Sequence, residues 1–234
     1  MELFFKIDED FLLNHTLSNA EKGVKCNAKY EKSLDEFIHT AKDKDRKSYE
    51  SFLNGIKDNK VIHFVEEMKR TTMWKRIMMQ TSEYGKMVRD EWASNQARSL
   101  KIMEDLTGTS LDTEFEVFIT HPGILNSQTI GEKKISFGGW RPDLKNVHTL
   151  FLWNEIMKIV FDDNTVENAI RETMCLEELR IRMNLGKYPP YIGSENLNST
   201  KDQIMPLWGK YVKLKTKHLP SFVEEAQILH KFEK

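Results

Sequence analysis

The chain has 234 residues, 39% of them hydrophobic and 30% charged, which is enough apolar material for one sizeable core and excludes a disordered chain. Lys+Arg 35 against Asp+Glu 36 leaves a net charge of -1, so no global field steers the protein to nucleic acid or to an anionic membrane, a local patch aside. No stretch reaches the ~18 apolar residues of a membrane span, and the N-terminus has no basic start followed by a long apolar run, so a cytoplasmic protein without a membrane partner is expected.

Eleven glycines and six prolines leave room for long helices, and the first 110 residues read as helical. Leu34, Phe37, Ile38 and Ala41 form one apolar stripe. Phe52, Ile56, Val61, Phe64, Val65 and Met68 mark further turns around a break at residues 57–60. A longer pattern over residues 72–106 runs through Trp74, Ile77, Met78, Tyr84, Met87, Val88, Trp92, Ala97, Leu100 and Met103, with Gly108 as its stop. This stripe of Met and Trp is expected to be core.

The period changes after Gly108. Phe115, Val117 and Ile119 alternate with Glu114, Glu116 and Phe118 until His121, Pro122 and Gly123 end a strand, and Ile135 and Phe137 suggest a second short one. Helical spacing returns after Pro142, with Asp143 or Asn146 as N-cap. A second helix starts near Asn164 and ends at Gly186, with Arg180 and Arg182 in its last turns. A turn is expected over residues 188–191, then two more helices separated by Pro220. The expectation is therefore an α+β, mainly α, single domain over 1–234. It comprises a helical part over 1–110, a small two- or three-stranded sheet with a helix pair over 111–186, and C-terminal helices over 187–234.

The stretch 146–161 is almost wholly apolar but is interrupted by Asn154, Glu155 and Lys158. A buried charge costs several kcal/mol unless paired, so these residues call for a reason. Val147, Leu150, Phe151, Asn154, Met157, Lys158 and Phe161 share one helix face, and His148, Leu152, Glu155 and Ile159 an adjacent one. On the second helix Glu172 tops an apolar stripe with Cys175, Leu176, Leu179 and Met183, while Glu177 and Glu178 lie nearer its polar side.

A long helix, a small sheet, a helix with Glu at the second motif position and then a glutamate-bearing helix resembles the core of the gluzincin type of zincin metallopeptidases. In that family a His-Glu-x-x-His helix supplies two zinc ligands and the general base, and the next helix supplies a glutamate ligand. The resemblance covers about residues 72–186 and implies that Asn154 and Lys158 stand at the histidine positions, Glu155 at the base position and Glu172 at the third ligand. Asn is a poor zinc ligand and a protonated Lys cannot be one, so no metal and no cofactor are expected.

Under this resemblance Lys158 replaces part of the metal's charge between two carboxylates, and the chain is a pseudoenzyme with a binding or regulatory role toward a peptide or protein partner. The bland alternative has Lys158 running its stem to water and pairing with Glu155 at i+3, with no ancestral site. Two further classes stay open: an active zinc hydrolase with other ligands, and a helical interaction module.

His121 and His148 are the remaining metal-capable residues near this region. They read as a turn residue and as a capping or surface group respectively. Cys26 and Cys175 read as free thiols, and the basic run from Lys213 to His218 as a solvated helix face.

Overall fold

The computed structural model describes residues 1–20, 28–125, 127–139, 145–185 and 193–232. It opens on strand β1 (Glu2–Lys6), followed by helices α1 (Glu9–Ala20), α2 (Ala28–Leu53), α3 (Asn59–Lys69) and α4 (Thr72–Thr107). Short polar side chains set the helix starts. Asp58 accepts the Val61 amide at 2.8 Å ahead of α3, and Thr71 accepts the Trp74 amide at 3.1 Å ahead of α4. α2 is interrupted at Asp45, whose backbone is extended and whose carboxylate accepts the Lys47 and Ser48 amides, restarting the helix.

Strands β2 (Glu114–Ile119), β3 (Gln128–Gly131) and β4 (Lys134–Phe137) complete a four-stranded sheet in the order β1-β2-β4-β3. β1 and β4 flank β2 in parallel, with Leu3 opposite Phe115 and Val117 opposite Ile135, and β3 forms an antiparallel edge. Then come α5 (Val147–Ile156), a 3-10 turn at Met157–Ile159, α6 (Thr165–Glu172), a π turn at Thr173–Glu178 and α7 (Leu179–Met183). The described chain closes with a 3-10 turn at Glu195–Leu197, α8 (Asn198–Tyr211) and α9 (Leu219–Phe232). The fold is thus α+β and mainly α, and no described helix is long and apolar enough to cross a membrane.

Two clusters make the core, and α4 runs through both. Trp74 and Ile77 near its start pack with Leu12, Leu17, Leu34, Phe37, Tyr49, Phe64 and Met68 of α1 to α3. Tyr84, Val88, Trp92, Met103 and Leu106 further along pack with the sheet and with α5 to α9, around Phe115, Ile135, Trp153 and Ile170. The α5 segment is central, as its composition implies: Trp153 is fully buried and Phe161, beyond the helix end, nearly so.

Several expectations need correction. Residues 2–6 are a strand, because the short apolar run of Leu3, Phe4 and Phe5 has β2 as a hydrogen-bonding neighbour, a pairing across more than a hundred residues that local periodicity cannot register. The sheet accordingly has four strands. Met87 and Ala97 lie on the exposed side of α4. The apolar run 146–161 is not one helix: α5 stops at Ile156, and Ile159 and Val160 reach solvent. Asn146 precedes α5 in a left-handed conformation without capping it, its side chain bonding Asn95 and Asn184 instead. The break between the last two helices precedes Pro220, which sits in the first turn of α9, where a missing N–H costs nothing. The basic run forms the α8–α9 link rather than a helix face, and Lys217 is buried against Asp105 at 3.1 Å. Cys26, Pro142, Asp143, Gly186 and the turn expected over residues 188–191 lie outside the described residues.

Gly108 ends α4 at φ +73, donating its N–H to Glu104 O at 2.9 Å, and a Cβ there would meet Lys217 O at 1.9 Å. Gly108→Ala should therefore cost more than the roughly 1–2 kcal/mol of left-handed strain alone, because the α8–α9 link must also move. The readout is the urea midpoint, and an unchanged midpoint would show that this crossing does not constrain the fold.

Candidate functional site

The C-terminal end of the sheet, α5, α6 and the start of the π turn enclose a cavity of about 480 Å³. Its apolar wall includes Leu125, Phe137, Val147, Phe151 and Leu176, and its polar wall includes His148, Asn154, Glu155, Lys158, Arg171, Glu172 and Ser194. All four residues singled out by the metallopeptidase resemblance, Asn154, Glu155, Lys158 and Glu172, line this one cavity. His121 does not line it.

Three of these residues form a chain of polar contacts with Arg171. Lys158 Nζ donates to Glu155 Oε2 at 2.7 Å, and Arg171 Nε donates to Asn154 Oδ1 at 3.3 Å. The Glu155 side chain is 4% exposed and that of Lys158 30%. The 3-10 turn explains this geometry. A continuous helix would stack Lys158 over Asn154, whereas the tighter turn, three residues per revolution, swings Lys158 over Glu155. The pairing is the local i+3 one, with the lysine reaching solvent. Burial pushes the Glu155 carboxyl above its ordinary range, and Lys158, Arg171 and Asn154 only partly offset the effect.

Glu172 is held by residues far away in sequence. Lys201 Nζ on α8 donates to its Oε2 at 2.7 Å, and Ser194 donates from its amide at 2.8 Å and from its hydroxyl at 2.6 Å. Burial pushes this carboxyl up, but the bonds from Lys201 and Ser194 outweigh it and hold the group below its ordinary value. Lys158 is therefore not the partner of Glu172. Neither Lys201 nor Ser194 carries a sequence signal pointing here, since Lys201 sits on a helix of mixed composition. Arg171 was equally hidden: as the neighbour of Glu172 it reads as an ordinary basic residue within the expected second helix.

His148 is buried, not a surface or capping group. Its Nδ1 lies 2.8 Å from Glu91 Oε2 on α4, while Glu91 Oε1 accepts the Thr149 amide at 2.7 Å and its hydroxyl at 3.0 Å. His148 Nε2 is buried without a hydrogen-bond partner among the described residues. Burial pushes the Glu91 carboxyl up, and the bonds from His148 and Thr149 bring it below its ordinary value. His121 is also buried, in a separate place. Gly123 N donates to its Nδ1 at 3.1 Å, its Nε2 faces Gln80 Oε1 at 2.9 Å, and burial with the neighbouring His15 pushes its pKa down to about 3. It is a neutral structural histidine. Cys175 is a free buried thiol whose pKa burial pushes up, so it is no nucleophile.

A zinc ion does not fit these donors. The carboxylates at the base and ligand positions, Glu155 and Glu172, each accept an ammonium, Asn154 Oδ1 accepts a guanidinium, and a dication among Lys158, Arg171 and Lys201 would meet three like charges. Among the described residues no group of three or more His, Cys, Asp or Glu side chains is arranged to hold a metal. The comparisons with known proteins found nothing: no family model, no curated protein and no solved structure matches the chain.

Lys158→Met removes the only ion-pair partner Glu155 has among the described residues. Because the lysine reaches water, the loss at about pH 7 should be about 1–3 kcal/mol, below the 3–5 of a sealed pair. Glu155 has a folded-state pKa raised above the unfolded one, so the stability tied to its proton is present below the unfolded value and is lost as pH rises through the raised one. The Lys158→Met penalty should thus shrink toward about pH 4, and the double variant with Glu155→Gln should recover most of it. Urea midpoints at both pH values decide the matter. A penalty unaffected by pH and by Glu155→Gln would mean that the pair is not its origin.

Proposed function

We propose that this chain is a non-catalytic binding protein built on a zincin-like scaffold, with a binding or regulatory role toward a peptide or protein partner. One observation carries the reading. Asn154, Glu155, Lys158 and Glu172 meet in one cavity, and lysine ammonium groups engage both carboxylates that a peptidase of this type would turn toward its metal. A dication removed from between two carboxylates leaves a repulsion that such cations relieve. The apolar wall of Leu125, Phe137, Phe151 and Leu176 offers burial for a side chain of the partner. The edge strand β3 nearby suits an extended peptide. The free thiol of Cys175 suits a reducing compartment, and a cytoplasmic location belongs to the same proposal.

Purified protein should carry no stoichiometric zinc by elemental analysis and show no chelator-sensitive cleavage of a peptide library. It should bind members of that library saturably, and Phe151→Glu in the cavity wall should weaken binding at least about tenfold, equivalent to 1.4 kcal/mol. One tightly bound zinc per chain, with cleavage that Glu155→Gln abolishes, would instead establish an active hydrolase. Absence of peptide binding together with absence of zinc would favour a helical interaction module that works through another surface.

A further inference from the structure

Arg171 is 8% exposed and lines the cavity, yet it forms no ion pair among the described residues. Its Nε donates to Asn154 Oδ1 at 3.3 Å, and this is the guanidinium's one hydrogen bond there. Nη1 and Nη2 have no partner among the described residues and are not among the sealed unpaired atoms. A buried cation costs several kcal/mol unless an anion accompanies it. The charges of the cavity wall are otherwise matched, Glu155 by Lys158 at 2.7 Å and Glu172 by Lys201 at 2.7 Å. Arg171, which acts on Glu155 only through space, is the cation left without an ion pair among the described residues.

We propose that the cavity is a receptor for a monocarboxylate, with Nη1 and Nη2 of Arg171 donating to the two carboxylate oxygens and the apolar wall holding the group next to it. The assignment rests on the reading of this cavity as a peptide-binding site and names the part of the peptide that enters: a free C-terminus with an apolar last residue. A guanidinium fork matches a carboxylate in geometry, and the bond from Asn154 fixes the plane of the fork. One surplus cation beside two carboxylates suits a single negative charge and disfavours the double charge of a phosphate. A volume of about 480 Å³ admits one large side chain with its carboxylate, not a long segment.

The same carboxylate chemistry is carried by a peptide end and by a small apolar acid, and four probes separate them: N-acetyl-Ala-Leu-Phe as the acid, its C-terminal amide, 3-phenylpropanoate and inorganic phosphate. Titration calorimetry of the full chain should show the peptide acid binding at least about tenfold tighter than the amide, with Arg171→Gln removing that difference and Arg171→Lys keeping part of it. Phosphate should not compete. The acid-to-amide comparison on the unaltered protein needs no variant, so misfolding of Arg171→Gln, checked by circular dichroism, leaves the test intact. Equal binding of acid and amide overturns the carboxylate receptor while leaving peptide binding in place. Binding of 3-phenylpropanoate but not of the peptide acid supports the receptor and overturns its peptide source. Competition by phosphate, or binding by none of the probes, overturns the proposal. Zinc-dependent cleavage with the acid-to-amide preference retained would overturn the non-catalytic reading alone.

Discussion

The rest of the structure depends on α4. Its 36 residues span about 54 Å, and residues along it belong to both hydrophobic clusters, so one rod is buried first among α1 to α3 and then against the sheet and α5 to α9. A helix of that length holds its partners in a shared register. Glu91 on its middle turns receives His148 and the first turn of α5, and Asp105 near its end receives Lys217 and Arg182. The position of α5 against the sheet, and with it the cavity, is set from α4.

The cavity shows how chain distance and burial divide electrostatic work. Glu155 pairs with a lysine three residues away that reaches water, an arrangement that leaves its carboxyl easier to protonate than usual. Glu172 is fastened by Lys201 and Ser194 from beyond the second helix, at the cost of ordering a whole further segment, and its carboxyl is correspondingly harder to protonate. Two glutamates in one wall thus sit on opposite sides of their ordinary value, for reasons traceable to how each is accompanied. The π turn that begins beside Glu172 adds a residue to the helix there, so the apolar face of Cys175, Leu176 and Leu179 stays in the core while Glu172 turns to the cavity.

Much of the helical architecture was legible in the chain. Trp74, Ile77, Tyr84, Val88, Trp92 and Met103 predict α4 almost to its ends, and Gly108 marks its stop as a residue free to adopt positive φ. The helix start near Asn164 was legible too, and the structure shows Asn164 capping it by accepting the Glu167 amide at 3.0 Å. What was not legible is of another kind. The strand at Glu2–Lys6 needs β2 to exist, and the end of α5 at Ile156 and the π turn inside the second helix have no periodicity that distinguishes them from regular helix. In the site, the sequence brought Asn154, Glu155, Lys158 and Glu172 forward because charge interrupted an apolar pattern, and that signal says nothing of which partner each one finds.

By itself the sequence determined the span of α4, the strands around Val117 and Ile135, the central burial of the segment around Trp153 and the fact that several of its polar residues must be accompanied. All of these follow from periodicity, capping chemistry and the desolvation of charge, which act over a few residues. Only the tertiary structure decided that Glu172 belongs to Lys201 and Ser194, that Glu91 holds His148, that His121 is a neutral structural group, and that Arg171 lines the cavity without an ion pair among the described residues. Each of those outcomes is a meeting of segments distant along the chain, and which segments meet is settled by the packing of whole elements against α4, a long-range sum that no local pattern of residues encodes.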